Sequence, residues 1–400
     1  MSLEIPEDSF FDDFDRTFLS LSSTLAEPYC WAYGVLRYRS ISPLDPNQFD
    51  NSTSRIREIG TRILIFSTAT LCFVFAGMYL LGATVVVAAC SQLFRAIGVS
   101  LQKNGFTHVR GKLPEKTLEE GQLSAMTWNI RGYFGGMHYK EAGVGPWSSR
   151  LEGIIEQINS QDPDVLVLQE VYDDSLVEAL IAKLQDRYAH FYVHLGIKGT
   201  AVSSGCMVLT KCAVSGFSHT DFDHNHWNHN RGFETLEIKA SPQAEGPAVR
   251  IIGAELLEGK AAAEQRKEDL IKIINSIAQK ATSLPTFFVG NLNAGRDDPS
   301  EGGLLKNYLY HSYWGREATH TDAFAARWGG KSPGNDASVD FISLFKSQKL
   351  LDGKRLPVID REVRVINCHL VKGFTKMDGK PLSDHHGIFT QLQFKSESTK

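Results

Sequence analysis

The chain has 400 residues, 42% hydrophobic and 22% charged, the balance of a folded protein rather than a disordered one. Lys and Arg number 42 against 46 Asp and Glu, a net charge of −4, which excludes an overall basic excess for coating nucleic acid. Six cysteines without a C-x-x-C pair exclude a zinc ribbon or a disulfide framework and suit a reducing compartment.

Residues 1–62 mix acids with aromatics (Asp8, Asp12, Asp13, Asp15) and then become rich in Ser, Pro and Asn. They read as an N-terminal tail, flexible, with a short amphipathic helix as the alternative. From Ile63 to Phe94 there is no charged residue, and Arg62 and Arg95 bracket the run. A hydrocarbon core of ~30 Å needs about 20 apolar residues, so 63–94 is predicted to enter a membrane. It starts too far into the chain, behind too acidic a stretch, for a signal peptide. Both flanks are basic, with Arg55, Arg57 and Arg62 before the run and Arg95, Lys103, Arg110, Lys112 and Lys116 after it. A single span therefore has no preferred orientation, whereas a hairpin with both ends cytoplasmic satisfies the charge rule but has arms of only about 15 residues. Both topologies stay open. The expected location is a membrane, with the C-terminal domain on the cytoplasmic side.

After a linker at 95–119, the pattern becomes that of a mixed α/β domain over 120–396. Strands are predicted at Ser124–Trp128, Val165–Leu168, Phe191–Leu195, Cys206–Thr210, Phe233–Ile238, Val249–Ala254, Thr286–Val289, Val339–Leu344 and Ile388–Phe394. Helices are predicted at Arg150–Ser160, after a cap at Asp173 or Asp174, and from Ala262 to Gln279. Strands adjacent in sequence favour two packed sheets flanked by helices over one doubly wound sheet.

Polar groups of one chemical kind follow several strands: Asn129 after Trp128, Gln169-Glu170 after Leu168, Asn291-Leu292-Asn293 after Val289-Gly290, and Ser383-Asp384-His385 before the last strand. Oxygen donors with a single imidazole suit a hard cation such as Mg²⁺ and a phosphate ester. Taken singly, each reads equally as a turn residue or a cap.

The ordered series T-W-N-I-R-G, L-Q-E-V, S-S-G-C-M-V-L-T-K, R-G-F, I-I-G-A-E-L, V-G-N-L-N-A, S-V-D-F-I and L-S-D-H-H-G-I resembles the endonuclease/exonuclease/phosphatase superfamily over residues 120–396. Its details are most similar to the sphingomyelinase and phospholipase C branch. The resemblance implies a DNase-like, four-layer α/β/β/α sandwich, here preceded by the hydrophobic transmembrane segment. It also implies Mg²⁺ or another divalent cation held by Glu170 and Asn129. Asn293 would orient phosphate or water, His385 with Asp384 would serve proton transfer or charge stabilisation, and Asp340 and Asp322 would stand behind them. Arg231 would face the substrate or pack.

Two positions depart from the pattern. The family's T-H-L is Ala254-Glu255-Leu256, and its G-D-x-N is Gly290-Asn291-Leu292-Asn293. An imidazole and a carboxylate are thus missing, while a carboxylate arrives at Glu255 that can take a metal or proton role. The expected function is a membrane-anchored, metal-dependent phosphodiester hydrolase acting on a phospholipid head group. The alternatives are a catalytically impaired membrane-bound scaffold and a nuclease. Two look-alikes are set aside: Ile366-Asn367-Cys368-His369-Leu370, read as a late strand or loop, and the histidine-rich loop from Asp223 to His229.

Overall fold

The computed structural model describes residues 16–26, 59–60, 63–64, 67, 86–102, 104–118, 121–133, 144, 146–198, 202–223, 230–258, 262–279, 284–294, 309–311, 319, 339–345, 363–374 and 381–394. Two βαβ units set the architecture. In the first, β2 (Gln122–Gly132) runs into α1 (Trp147–Gln161) and returns as β3 (Val165–Val171), parallel to β2. In the second, β8 (Pro247–Glu255) runs into α3 (Ala263–Gln279) and returns as β9 (Thr286–Asn291), parallel to β8. Every other pairing between these described strands is antiparallel.

Around the first unit a seven-stranded sheet forms in the order β1-β4-β5-β3-β2-β13-β12, with β1 at Thr107–Arg110, β4 at His190–Val193, β5 at Met207–Thr210, β12 at Val363–Val371 and β13 at Gly387–Phe394. Around the second a six-stranded sheet forms in the order β10-β11-β9-β8-β7-β6, with β6 at Val214–Asp221, β7 at Gly232–Lys239, β10 at Leu309–His311 and β11 at Asp340–Phe345. Helix α2 (Asp174–Leu184) packs beside α1. Its start is fixed by Asp173, which accepts from the Ser175 N–H at 2.9 Å, one of the two caps expected from the sequence.

Three apolar clusters fill the three spaces between layers. Ile154 and Ile158 of α1 and Leu176 and Leu180 of α2 pack against Met126, Leu166 and Leu168 of the first sheet. Val167, Val208, Leu236, Ile251 and Val289 meet between the sheets. Leu270, Ile273 and Ile274 of α3 cover Ile252 and Phe288 of the second sheet. The result is the α/β/β/α layering expected from the sequence.

Differences from the sequence reading lie at the margins. Thr107–Arg110 is a strand, paired with β4, so the sheet begins inside the stretch read as a linker. A four-residue strand held by a partner about 80 residues away leaves little periodic signal. The Ile366–Leu370 look-alike lies in edge strand β12. Residues 16–26 are helical and folded onto the domain: Leu19 is buried, and Arg16 grips Glu178 of α2 through two bonds at 2.8 and 3.1 Å.

Only part of the apolar run is described. Among the described residues no helix is long and apolar enough to cross a membrane. Residues 86–101 are helical, and the end of the run docks on the domain. Ser91 bonds to Ser22, Phe94 packs on Phe18 at 5.9 Å, and buried Arg95 reaches Asp174 at 3.1 Å.

A charged cluster is buried at β6 and β7. His219, 4% exposed, has Nδ1 3.2 Å from Glu234 and Nε2 3.5 Å from Asp221. Burial opposes the imidazolium, but the carboxylates of Asp221 and Glu234 outweigh it and raise its pKa to about 9. An unfolded histidine titrates near ~6.5, so this contribution is complete below that pH and is lost as pH rises through about 9. Thermal unfolding measured from pH 6 to 9.5 is therefore expected to show a falling Tm, with a shallower fall in His219→Gln. Equal slopes in the two proteins would refute the assignment.

Candidate active site

The carboxyl ends of both parallel pairs open at the same place. Asn129 lies near the end of β2, Glu170 near the end of β3, Glu255 ends β8 and Asn291 ends β9. Such ends are where α/β sheets bind ligands, because loops diverge there and leave a crevice. Across the second sheet, Glu255 is in register with Asn291, and Asn291 with Asp340 at the start of antiparallel β11. Partners in register share a face, so these three side chains form one row. The first sheet faces it, with β2 packed on β9 and β11.

Asn129 joins the two halves. Its fully buried amide donates to Glu170 Oε1 at 2.8 Å and approaches Glu255 Oε1 at 3.5 Å. Two carboxylates thus converge on one nitrogen. Burial raises the pKa of Glu170 despite the nearby Arg131 guanidinium. Burial, then repulsion from Glu170, raises that of Glu255. Glu170 Oε2 and Glu255 Oε2 are buried and have no hydrogen-bond partner. Glu170 holds its position with a left-handed backbone, φ 56°.

Opposite them, His385 Nδ1 is 2.8 Å from Asp340 Oδ2. Burial disfavours the imidazolium, but the Asp340 carboxylate more than compensates and raises the histidine to about 10. The main chain of His385 is pinned twice: its N–H donates to Ser383 Oγ at 3.2 Å, and its carbonyl accepts from Trp128 Nε1 at 3.0 Å. Ser383 Oγ also donates to the Asn129 carbonyl at 2.7 Å. Asp384 pairs with Arg131.

The remaining expected residues act at one remove. Asn291 Oδ1 accepts from the Asn293 N–H at 2.8 Å, and Asn293 Nδ2 donates to the Leu256 carbonyl at 2.7 Å. The pair therefore shapes the turn after β9 and holds it to the end of β8. Arg231 donates to the Glu255 carbonyl at 2.9 Å, lies 3.6 Å from Asp269 and packs over Phe222. Of the two roles the resemblance allows it, packing is the one the contacts display. Asp322 and the histidines of the Asp223–His229 loop lie outside the described residues.

Three residues were assigned no role by the sequence. Arg131, the arginine of T-W-N-I-R-G, enters the site beside Glu170 and Asp384. Its left-handed φ of 50° has no sequence signature. Arg150, buried on α1, donates to the carbonyls of Ile130 at 2.8 Å and Arg131 at 2.7 Å and to that of Leu382, clamping the end of β2 to the loop that carries Asp384 and His385. Tyr172, paired with Tyr133 at 5.3 Å, packs beneath Gly205, where a Cβ would meet the ring at 2.4 Å. That close approach and the φ of 79° both require glycine in S-S-G.

A cavity of about 360 Å³ lies elsewhere, at the start of β2 and the end of α1. Its charges are matched in place, Lys116 with Asp164 and Lys211 with Asp162, each at 2.8 Å.

No curated protein matches the chain significantly. Solved structures do, those named here all under 25% identical, and they share the fold. SmcL is 16% identical, with a TM-score of 0.51 over 69% of this chain and 100% of that one. A two-substitution variant of beta toxin from Staphylococcus aureus with bound magnesium ions is 16% identical, with a TM-score of 0.51 over 67% and 99%. D. rerio TDP2 complexed with a single-strand DNA product is 16% identical, with a TM-score of 0.50 over 68% and 98%. The model of the Endonuclease/Exonuclease/phosphatase family matches residues 126–385, a span that runs through Asn129, Glu170, Glu255, Asn291 and His385, and the chain belongs to that family.

Proposed function

We propose that this protein is a divalent-cation-dependent phosphodiester hydrolase, anchored in a membrane and acting on a phospholipid head group. The observation that carries the chemistry is the buried pair Glu170 and Glu255, which share the Asn129 amide and each keep one oxygen without a partner. Two close, desolvated carboxylates repel each other, and a cation between them relieves both burial and repulsion. Among the described residues no three His, Cys, Asp or Glu side chains form a cage. Two carboxylates with open positions nevertheless suit Mg²⁺, which retains several waters. The bound magnesium of the beta toxin variant, a protein of the same fold, supports this choice.

Glu170 and Glu255 would hold the cation, which would supply Lewis-acid polarisation of a phosphoryl oxygen. Asn129 turns its Nδ2 toward both carboxylates and its Oδ1 to the Arg131 N–H, so it would position the pair and not take the ligand role the resemblance implies. His385, kept cationic by Asp340, places a donor where charge develops on the phosphorus centre or its leaving oxygen. Asp384 sets the Arg131 side chain beside it. Asn291, an amide, cannot act as a proton acceptor at neutral pH, and its oxygen already holds the Asn293 N–H. In this reading Glu255 is a working carboxylate, placed one strand away from the one missing at Asn291.

The lipid substrate and the anchor rest on the apolar run. Docking of Ser91 and Arg95 on the domain leaves the 28 uncharged residues 63–90 upstream, enough for one crossing and too few for two. That count supports a single span ending close to the folded domain. An enzyme held this way works at head-group depth, where free DNA is scarce.

Three experiments test the reading. Full-length protein assayed with Mg²⁺ on sphingomyelin, phosphatidylcholine, phosphoinositides and plasmid DNA should cleave a phospholipid. Glu255→Gln should weaken Mg²⁺ binding at least about 10-fold by calorimetry and lower turnover with it. Hydrolysis of DNA alone would move the substrate class to nucleic acid, and stoichiometric Mg²⁺ binding without any turnover would favour a binding module. In a pH–rate profile, activity should persist through neutrality and fall as His385 deprotonates near 10; Asp340→Asn should move that limb to lower pH. An unmoved limb would remove His385 from the proton chemistry. Alkaline carbonate washing should leave the full chain with the membrane fraction, and complete release would contradict the anchor.

A further inference from the structure

The family's T-H-L histidine would add a cation to the site, and Glu255 stands in its place. The cations around Glu170 differ in what already occupies them. Arg150 is bound to three carbonyls and His385 to Asp340, whereas Arg231 is tied through Nη2 to the Glu255 carbonyl and its buried Nη1, 3.6 Å from Asp269, has no hydrogen-bond partner. Arg131 is bound through one terminal nitrogen to Asp384, while its Nε is buried without a hydrogen-bond partner.

We propose that Arg131 receives the phosphoryl group of the substrate, supplying the positive charge absent at Glu255. The inference rests on the phosphodiesterase reading above. The backbone of Arg131 is held on both sides: its N–H donates to Asn129 Oδ1 at 3.1 Å, and its carbonyl accepts from Arg150 at 2.7 Å. These bonds support the left-handed φ of 50°, a conformation that a long side chain rarely adopts without compensation. The guanidinium lies over the Tyr133 ring at 5.5 Å, and its side chain retains 14% of its exposure. It therefore reaches the site surface in a fixed plane. A guanidinium presents several N–H groups in a rigid fork, so one edge can bind Asp384 while another donates to phosphate oxygens. Asp384 prevents the side chain from swinging onto Glu170 and neutralising the metal carboxylate. The site thus trades positions: a carboxylate moves from 291 to 255, and the cation moves from 255 to 131.

The test uses the full-length protein in detergent, with inorganic phosphate as the probe and calorimetry as the readout, in the presence of Mg²⁺. Arg131→Asn removes the guanidinium while keeping a residue that tolerates left-handed backbone, and Arg131→Lys keeps a charge without the fork. Phosphate affinity should fall at least about 30-fold in Arg131→Asn and by an intermediate factor in Arg131→Lys, with Mg²⁺ affinity within about twofold of the unaltered protein. Unchanged phosphate affinity would overturn the proposal. So would parallel loss of phosphate binding, Mg²⁺ binding and Tm in both variants, which marks Arg131 as a structural partner of Asp384 only. If the unaltered protein binds Mg²⁺ but no phosphate, the proposal fails and the metal reading stands. If it binds no Mg²⁺, the hydrolase reading fails, and phosphate affinity of the variants without metal decides for or against Arg131 by the same ratios.

Discussion

The two carboxylates that share the Asn129 amide set the terms for everything around them. Glu170 comes from one sheet and Glu255 from the other, and a single nitrogen touches both. Separately, either would be a strand-end acid facing a crevice. Together, buried and each with an oxygen unpaired, they make the edge between the sheets strongly receptive to positive charge. The sandwich must hold its halves in register to maintain this, and the apolar contacts of Val167, Ile251 and Val289 between the sheets supply that registration.

Arginines do much of the remaining construction. Arg150 clamps the end of β2 to the loop before β13 through main-chain carbonyls. Arg231 steadies the end of β8 through the carbonyl of Glu255. Neither set of bonds depends on the carboxylates and imidazole of the site, so the frame of the site is set by backbone. Left-handed conformations at Arg131, Glu170 and Asn293 lie on this frame, where strain is tolerated because neighbouring bonds over-determine it.

The N-terminal part of the chain is tied to the same region. Asp174, four residues beyond Glu170, contacts Arg95, Ser23 and His194 at the start of α2. Burial opposes its ionisation, but the adjacent His194 imidazole and the charge of Arg95 keep its pKa low. The end of the apolar run and the helical residues 16–26 thus meet on the helix that follows the strand carrying Glu170. A membrane segment ending here would be joined to the domain by buried polar bonds rather than by a loose tether.

Periodicity and turn chemistry alone were enough to place most of the elements. The apolar faces of α1, α2 and α3, the buried runs of β3 and β9 and the Asp173 cap are local properties, and local sequence determines them. The ordered motifs likewise determined the family, and the candidate site residues they point to, Asn129, Glu170, Asp340 and His385, come together where the two sheets meet. Strands β1, β6 and β12 were poorly legible because their stability comes from partners distant in the chain. The meaning of Glu255 and Asn291 was not legible either. As sequence they are two lost catalytic groups; the register of β8, β9 and β11 makes them neighbours in one row, facing Asn129 across the sheets. Arg131 stands in T-W-N-I-R-G, but its role became visible only through its backbone angle and its pairing with Asp384. Residue identity determined which chemistry was available, and the meeting of two sheets decided which groups share a charge, because electrostatic coupling depends on distance and burial, which no spacing along the chain records.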